Sequence, residues 1–496
     1  MTPVTPRVSP REAWHPLSRT RWNAGRARHL LRRAGFSVSS AEVRTSLRLG
    51  MNETVGHMFA NPPPLPVPPS ITALEAEIDG HYQRIRAAES REERQRLNRE
   101  LNERRNEAYR DMSLSWLRYA SRSENAPHAN WVAFLLNVFV VSFDQIRQPH
   151  LVFRHHELLH ERARDDYAEV CKAVSRSAAM IRYLDLDRSS AERPNENFGR
   201  ELFELFLLGE GAYTEEDVRE AARAFTGYRQ ISGEFRLRAN LHDSGRKTIF
   251  GETGRFDGDG VIDLAIRQPA ARTHIPAEAC RHYLSDAPLP SEYLEELGRL
   301  WANSGYNLGF LVRRILTSRI FYEPEFRGGL IKSPFRYYLG LLGDLRLDVP
   351  PYPRPVITPF RQMGQALYSP PNVRGWLGGR LWINSNTLSA RRSLVEAFFS
   401  EVNEERLNAD DLAALREARK TGPVVLSVSR ARLRQLANSP PEDVVDRFLR
   451  YFLPGAASPE FRDTLVEHLS GSGDQSINRI RTVAMALLQS PQYNLC

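Results

Sequence analysis

Along most of the chain, apolar residues recur every three or four positions, the spacing that gives a helix one buried and one solvated face. The pattern predicts a mainly α protein: a multi-helix globular core with long inserted loops and a small β-hairpin, followed by a helical C-terminal domain. A first helical unit runs from about Trp22 to Phe59, within an N-terminal segment comprising residues 1–61. Pro62–Ser70, PPPLPVPPS, follows as a stiff extended linker. From Ile71 to about Arg122 the chain is heavily charged. Leu74, Ile78, Ile85, Leu97 and Leu101 there mark an amphipathic helical hairpin whose heptads are too broken for a coiled coil. Linker and hairpin together make up residues 62–125.

The third segment, residues 126–400, carries the motifs. It contains the most apolar run, Trp131–Phe143, which is too short to span a bilayer and reads as a buried helix. Toward its end come a proline-rich stretch, Val349–Pro359, and a loop rich in Gly, Pro, Trp and Asn at Pro370–Leu388. Residues 401–496 return to amphipathic helix patterns, as in VVDRFLRYFL at Val444–Leu453 and IRTVAMALLQS at Ile480–Ser490.

One helical stretch gathers unusual chemistry. In Pro194–Gly209, PNENFGRELFELFLLG, a turn of about 100° per residue places Glu196, Asn197, Arg200, Glu201 and Glu204 on one arc. Phe198, Leu202, Leu205 and Phe206 cover the opposite side, Asn195 is placed to cap the start, and Gly209 to end the helix. The arc reads either as a solvated face with i,i+4 ion pairs or as a partly covered one, since Leu207 and Leu208 turn back into it. A second helix follows in Tyr213–Arg229, with Thr214 and Asp217 as a capping-box-like start and Gly227 as the stop. Leu241–Gly260 is then glycine-rich and acidic, with only Thr248–Phe250 resembling a strand. Its Asp257-Gly258-Asp259-Gly260 lacks the remaining ligand positions of a calcium loop and reads as a tight acidic turn.

These blocks resemble a family of bacterial proteins, the domain of unknown function 1800. The likeness is carried by HLLRRAGF at His29–Phe36, MIRYLDLD at Met180–Asp187, and the long block from Arg193 to Tyr228. It continues through His242–Asp259, IKSP at Ile331–Pro334, and PPNVRGWLGGRLWINSNTL at Pro370–Leu388. The resemblance implies ancestry, and it implies no established chemistry. It also implies a protein partner, a member of a sulfatase-like family. Where the family pattern reads FWHxHF, this chain has Phe134–Phe139 with Leu136 and Val138 in place of two histidines. Leucine and valine bind no metal.

A different histidine string lies downstream, His155-His156-Glu157-Leu158-Leu159-His160, which contains HExxH. On a helix His156 and His160 share a face one turn apart, the arrangement that binds zinc in many metallopeptidases. Glu157 would then serve as general base and Glu196 as a third ligand. The alternative reading is a locally histidine-rich helix. In the Pro370–Leu388 loop, Trp376 and Trp382 offer flat faces and Asn384 and Asn386 offer donors and acceptors, for recognition or for pinning the loop into the core.

Composition changes the picture little. The 496 residues are 41% hydrophobic, enough for a large core or two domains, and the net charge is +8 with a pI of about 9.4. That charge comes from arginine interleaved with acids, which fits solvated helices better than a phosphate-binding stripe and gives no clear nucleic-acid signal. Only four of the 68 basic residues are lysines: Lys172, Lys247, Lys332 and Lys420. Lys247 and Lys332 fall inside the resembling blocks, which reads either as a requirement for a compact ammonium or as mere sampling. Three cysteines, Cys171, Cys280 and Cys496, are too few and too scattered for a disulfide framework. The first residues lack the apolar run of a secretion signal, so the expected location is the cytoplasm, although many relatives look exported. No membrane span is expected. Neither GxGxxG after a strand, GxxxxGK[ST] nor GxSxG occurs, which leaves dinucleotide, P-loop and serine-hydrolase functions unsupported.

Two functions remain. The first is a binding or assembly protein with no cofactor, in which Asn195, Glu196, Asn197, Arg200, Glu201, Glu204, His242, Asp243, Lys247, Trp376 and Asn384 form a polar cleft. The second is a zinc-dependent hydrolase built on His156, His160, Glu196 and Glu157.

Overall fold

Strong local signals decide most of the helices. In the computed structural model, which describes residues 4–470 and 476–496, helices Pro69–Ala87 and Arg91–Ser121 form the antiparallel hairpin expected from the charged stretch. Ile71, Leu74 and Ile78 on one arm, with Leu97 and Leu101 on the other, are buried, and Ser90 caps the second arm by accepting from the Glu93 N–H at 3.0 Å. The first half of the 31-residue second arm is solvated by its charges, while Met112, Leu114, Trp116 and Leu117 anchor its far half in the core. The proline-rich linker is not a free spacer. Its backbone carbonyls have no internal partners, so Pro63 accepts from Tyr119 Oη at 3.0 Å and Pro66 from Ser115 Oγ at 2.9 Å.

Helix dominates, and the only named strands among the described residues form two small antiparallel hairpins. Strand β1, Tyr228–Ile231, pairs with β2, Glu234–Leu237; β3, Lys247–Ile249, pairs with β4, Glu252–Gly254. Both turns are two residues long with positive φ at each position, Ser232 (51°) and Gly233 (83°), then Phe250 (49°) and Gly251 (78°). Serine and phenylalanine rarely take that conformation, and for this reason the pattern predicted one small hairpin, with a strand recognised at Thr248–Phe250, where there are two hairpins. Phe250 is held there by tertiary contacts, its N–H donating to Asp217 Oδ1 at 2.7 Å and its ring lying 5.1 Å from Phe203.

One contiguous hydrophobic core runs from Ala13 to Tyr493 and draws on all four sequence segments; residues 1–3 and 471–475 lie outside the described residues. The chain's last residues are woven into it. Lys332 N–H donates to Asn494 O at 2.8 Å, and Arg33 Nη2 donates to Cys496 O at 2.6 Å. Beside them, Arg32 and Asp344 form a buried pair at 2.8 Å, and Tyr493 Oη also donates to Asp344 at 2.9 Å. The two lysines of the resembling blocks are both buried, and burial pushes the Lys332 ammonium down to about 7. Lys247 Nζ donates to Asp243 O (2.6 Å) and Gly245 O (3.1 Å), and Lys332 Nζ sits 3.5 Å above the Tyr493 ring. Cys171, Cys280 and Cys496 are free and buried, and among the described residues no helix is long and apolar enough to cross a membrane.

Candidate functional site

A cleft of about 760 Å³ opens where five parts of the chain converge. The buried helix Ala126–Val138 supplies Asn130 and Asn137, seven residues apart and so on one face. Helix Ala271–Tyr283 supplies His274 and His282, and Asp286 follows just beyond it. Glu204 enters from the Pro194–Gly209 segment, Arg336 from helix Pro334–Leu345, and Val373–Trp382 forms the lip.

Glu204 reaches the cleft through a change of helix type. Helix Glu196–Glu201 passes directly into a π turn, Leu202–Leu207, in which Leu208 N–H bonds back to Phe203 O at 2.7 Å. The wider i→i+5 turn alters the about 100° progression from Leu202 on, and Glu204 lines the cleft while Glu196 and Arg200 do not. Its carboxylate accepts from Tyr213 Oη (2.9 Å) and Arg374 Nη2 (2.6 Å). At the end of the turn, the orphan carbonyl of Leu205 accepts from His274 Nε2 at 2.8 Å. Burial, and then Glu204, push the neighbouring Glu201 carboxyl up.

At Trp376 the lip is held by the Asn137 amide. Asn137 Oδ1 accepts from the Trp376 N–H at 2.8 Å and its Nδ2 donates to Trp376 O at 3.2 Å. Gly375 makes this possible, with φ of 69° and no Cβ, which would collide with Asn137 Oδ1. Trp382 is buried and pins the loop into the core, whereas Trp376 is half-buried and lines the cleft. Leu377 and Leu381, 69% and 66% exposed, project from the rim.

The floor is tied to the HLLRRAGF helix, Ala24–Ala34. His282 Nε2–H donates to Asn130 Oδ1 at 3.1 Å, and Asn130 Nδ2 donates to Ala34 O at 2.8 Å. Arg336 bridges Arg33 O (2.9 Å) and His282 O (3.0 Å). Burial first, then Arg336, holds the His282 imidazole well below its ordinary range, so it is neutral. Asp286 accepts from the Ile331 N–H at 2.8 Å, and burial nevertheless pushes its carboxyl up. Four carboxylates and four guanidiniums line the cleft, which gives it no net sign.

The family model described as Protein of unknown function (DUF1800) matches residues 29–495, and all five parts of the cleft fall inside that span. The chain belongs to the DUF1800 family. No curated protein matches it, and no solved structure does.

Of the residues read from this DUF1800 sequence as cleft residues, Glu204 and Trp376 line it. The others are not part of its lining, and all but Glu201 are claimed by nearer partners. Asn195 Oδ1 caps the helix at Asn197 N (3.0 Å), and Asn197 Nδ2 donates to Leu184 O at 3.4 Å. Arg200 bridges Glu196 (3.2 Å) and Glu215 (2.7 Å) on the solvated side. His242 bonds Thr226 O (2.9 Å), and Asp243 joins Arg223 (2.7 Å) and Lys247 in a knot that fixes the loop before β3. Asn384 caps helix Ser385–Phe398 through Thr387 N at 3.0 Å. Asn137 was legible in principle as the one amide inside the most apolar run, whereas His274 and Asp286 carry no local signal.

The HExxH string lies on helix Pro149–Glu161, and His156 and His160 do share its inward face. One ring nitrogen of each is already engaged: His156 Nδ1 lies 2.8 Å from Tyr368 Oη and His160 Nε2–H donates to Pro63 O at 2.9 Å. The rings pack edge-on against Trp116 (4.8 Å) and His128 (4.5 Å). Glu157 is paired outward with Arg154 at 2.7 Å, and Glu196 with Arg200. Among the described residues no group of three or more His, Cys, Asp or Glu side chains is placed to hold a metal ion, so His156, His160 and Glu196 are not brought together.

Proposed function

We propose that this DUF1800 protein is a binding or assembly protein whose cleft takes an extended polypeptide segment of a partner protein. The observation that supports this most is the exposed pair Leu377 and Leu381 on a lip locked in place by Asn137, above a cleft of balanced charge. A polypeptide offers what such a surface needs: apolar anchors for the rim, amide groups for the asparagines, and side chains of either sign. A preset lip lowers the ordering cost of association. A net-neutral lining does not favour a phosphate backbone. The partner to test first is a sulfatase-like protein, which the family resemblance implies.

The zinc-dependent hydrolase, with Glu157 as base, lacks a comparable supporting observation, because its ligands are paired within the protein. The test is a titration of an immobilised sulfatase-like partner with the parent and with Leu377→Asp/Leu381→Asp. Saturable binding that weakens at least about tenfold in the variant is expected. Binding that ignores the lip, or no binding at all, would overturn the proposal.

A further inference from the structure

A second cavity, of about 270 Å³, lies away from the cleft between the HLLRRAGF helix and the segment that ends helix Pro441–Phe452. Its lining is one-sided in charge: Arg28, His29, Arg32, Arg33, Arg327 and Arg450, with no aspartate or glutamate. Helical spacing forces part of this, since Arg28 and Arg32, and His29 and Arg33, stand four residues apart on adjoining stripes.

Among the described residues Arg32 alone of these guanidiniums forms an ion pair with an Asp or Glu side chain, while Cys496 and, more weakly, Asp286 offset part of the burial of Arg33. Arg32 is paired from behind with buried Asp344. Arg33, fully buried, is held by four main-chain oxygens, those of Tyr283, Leu284, Phe326 and Cys496, at 2.6–3.0 Å. Its Nε and that of Arg327 find no acceptor. Among the described residues Arg28, Arg327 and Arg450 make no ion pair with an Asp or Glu side chain. Burial and then Arg450 depress the Arg28 guanidinium, and burial and then Arg26 depress that of Arg327 against a smaller pull from Glu323. The like charges oppose one another, so the arrangement is costly when the cavity holds only water.

The remaining wall is apolar, from Leu449, Leu453 and Pro454. We infer that the cavity is a binding site for a small organic phosphate monoester, whose dianionic head is held by the arginines and whose body lies along the apolar wall. A phosphate dianion offers three oxygens to several guanidinium forks, which a carboxylate cannot. The cavity has room for several water-sized groups beyond the head, as a water occupies about 30 Å³. The site is independent of the polypeptide cleft.

Calorimetric titration of the full chain with glycerol 3-phosphate and with inorganic phosphate, against chloride at matched ionic strength, tests this. One saturable site per chain is expected for both phosphates, with the monoester at least about tenfold tighter. Arg28→Gln/Arg450→Gln should weaken both about ten- to a hundredfold. Because two repelling charges are removed, the same variant should unfold in phosphate-free buffer at a temperature no lower than the parent. Heats no larger than those with chloride, or a variant that binds as tightly as the parent, would overturn the site. Equal affinity for the two phosphates would overturn the role given to the apolar wall, and a destabilised variant would show that the arginines are structural.

Discussion

Two regions of this molecule look alike on paper and differ in kind. Helix Pro149–Glu161 carries four histidines and two glutamates, while the Val373–Trp382 lip and its cleft carry no recognised catalytic string. In the first region the inward-facing imidazoles of His155, His156 and His160 end on protein partners, Phe139 O, Tyr368 Oη and Pro63 O. In the second, mixed charges face an open volume and two leucines face solvent. The difference teaches that residue type at motif spacing says less about function than the hydrogen-bonding capacity left over after folding.

Removing the histidines should therefore damage the fold and leave recognition alone. His156→Ala/His160→Ala leaves cavities beside Trp116 and unpartnered Tyr368 and Pro63 oxygens, and should cost about 3–6 kcal/mol, read from the denaturant midpoint. Acid should attack the same region. Burial holds His128 down at about 3 and His150 and His155 at about 4, below the about 6.5 of an unfolded chain. As pH falls below about 6.5 the unfolded chain takes up protons first, so stability is full above that pH and is lost progressively down to about 4. The slope is about 1.4 kcal/mol per pH unit for each histidine, measurable as urea midpoints at successive pH values.

The lip should respond in the opposite sense. Gly375→Ala adds a Cβ that collides with Asn137 Oδ1 at a positive φ, so it should cost about 1–3 kcal/mol and release the lip, with loss of partner binding by calorimetry. Leu377→Asp/Leu381→Asp should leave the unfolding midpoint within about 0.5 kcal/mol of the parent while weakening partner binding at least about tenfold. Stability loss without binding loss at the lip would erase the contrast between the regions.

Local signals carried much of the fold. The hairpin of residues 71–122, the caps at Asn195 and Thr214, and the positive-φ glycines Gly209 and Gly227 were legible because each depends on a few neighbouring residues. The π turn at Leu202–Leu207 was not, because a regular helical progression was the only rule available from spacing. The turns at Ser232 and Phe250 were hidden for the same kind of reason, as tertiary contacts override intrinsic preference there. Of the site, Glu204 and Trp376 were found, but their assembly with Asn137, His282 and Asp286 joins residues about 70 to 240 positions apart. Such pairings leave no trace in one sequence. The family likeness identified the blocks without saying which of their residues meet.

Hydrogen exchange of the full chain, with and without a sulfatase-like partner, tests the central claim most directly. The account predicts added protection confined to Val373–Trp382 and the cleft-facing π turn, with no change along Pro149–Glu161. Protection of Pro149–Glu161 with the lip unaffected would contradict it.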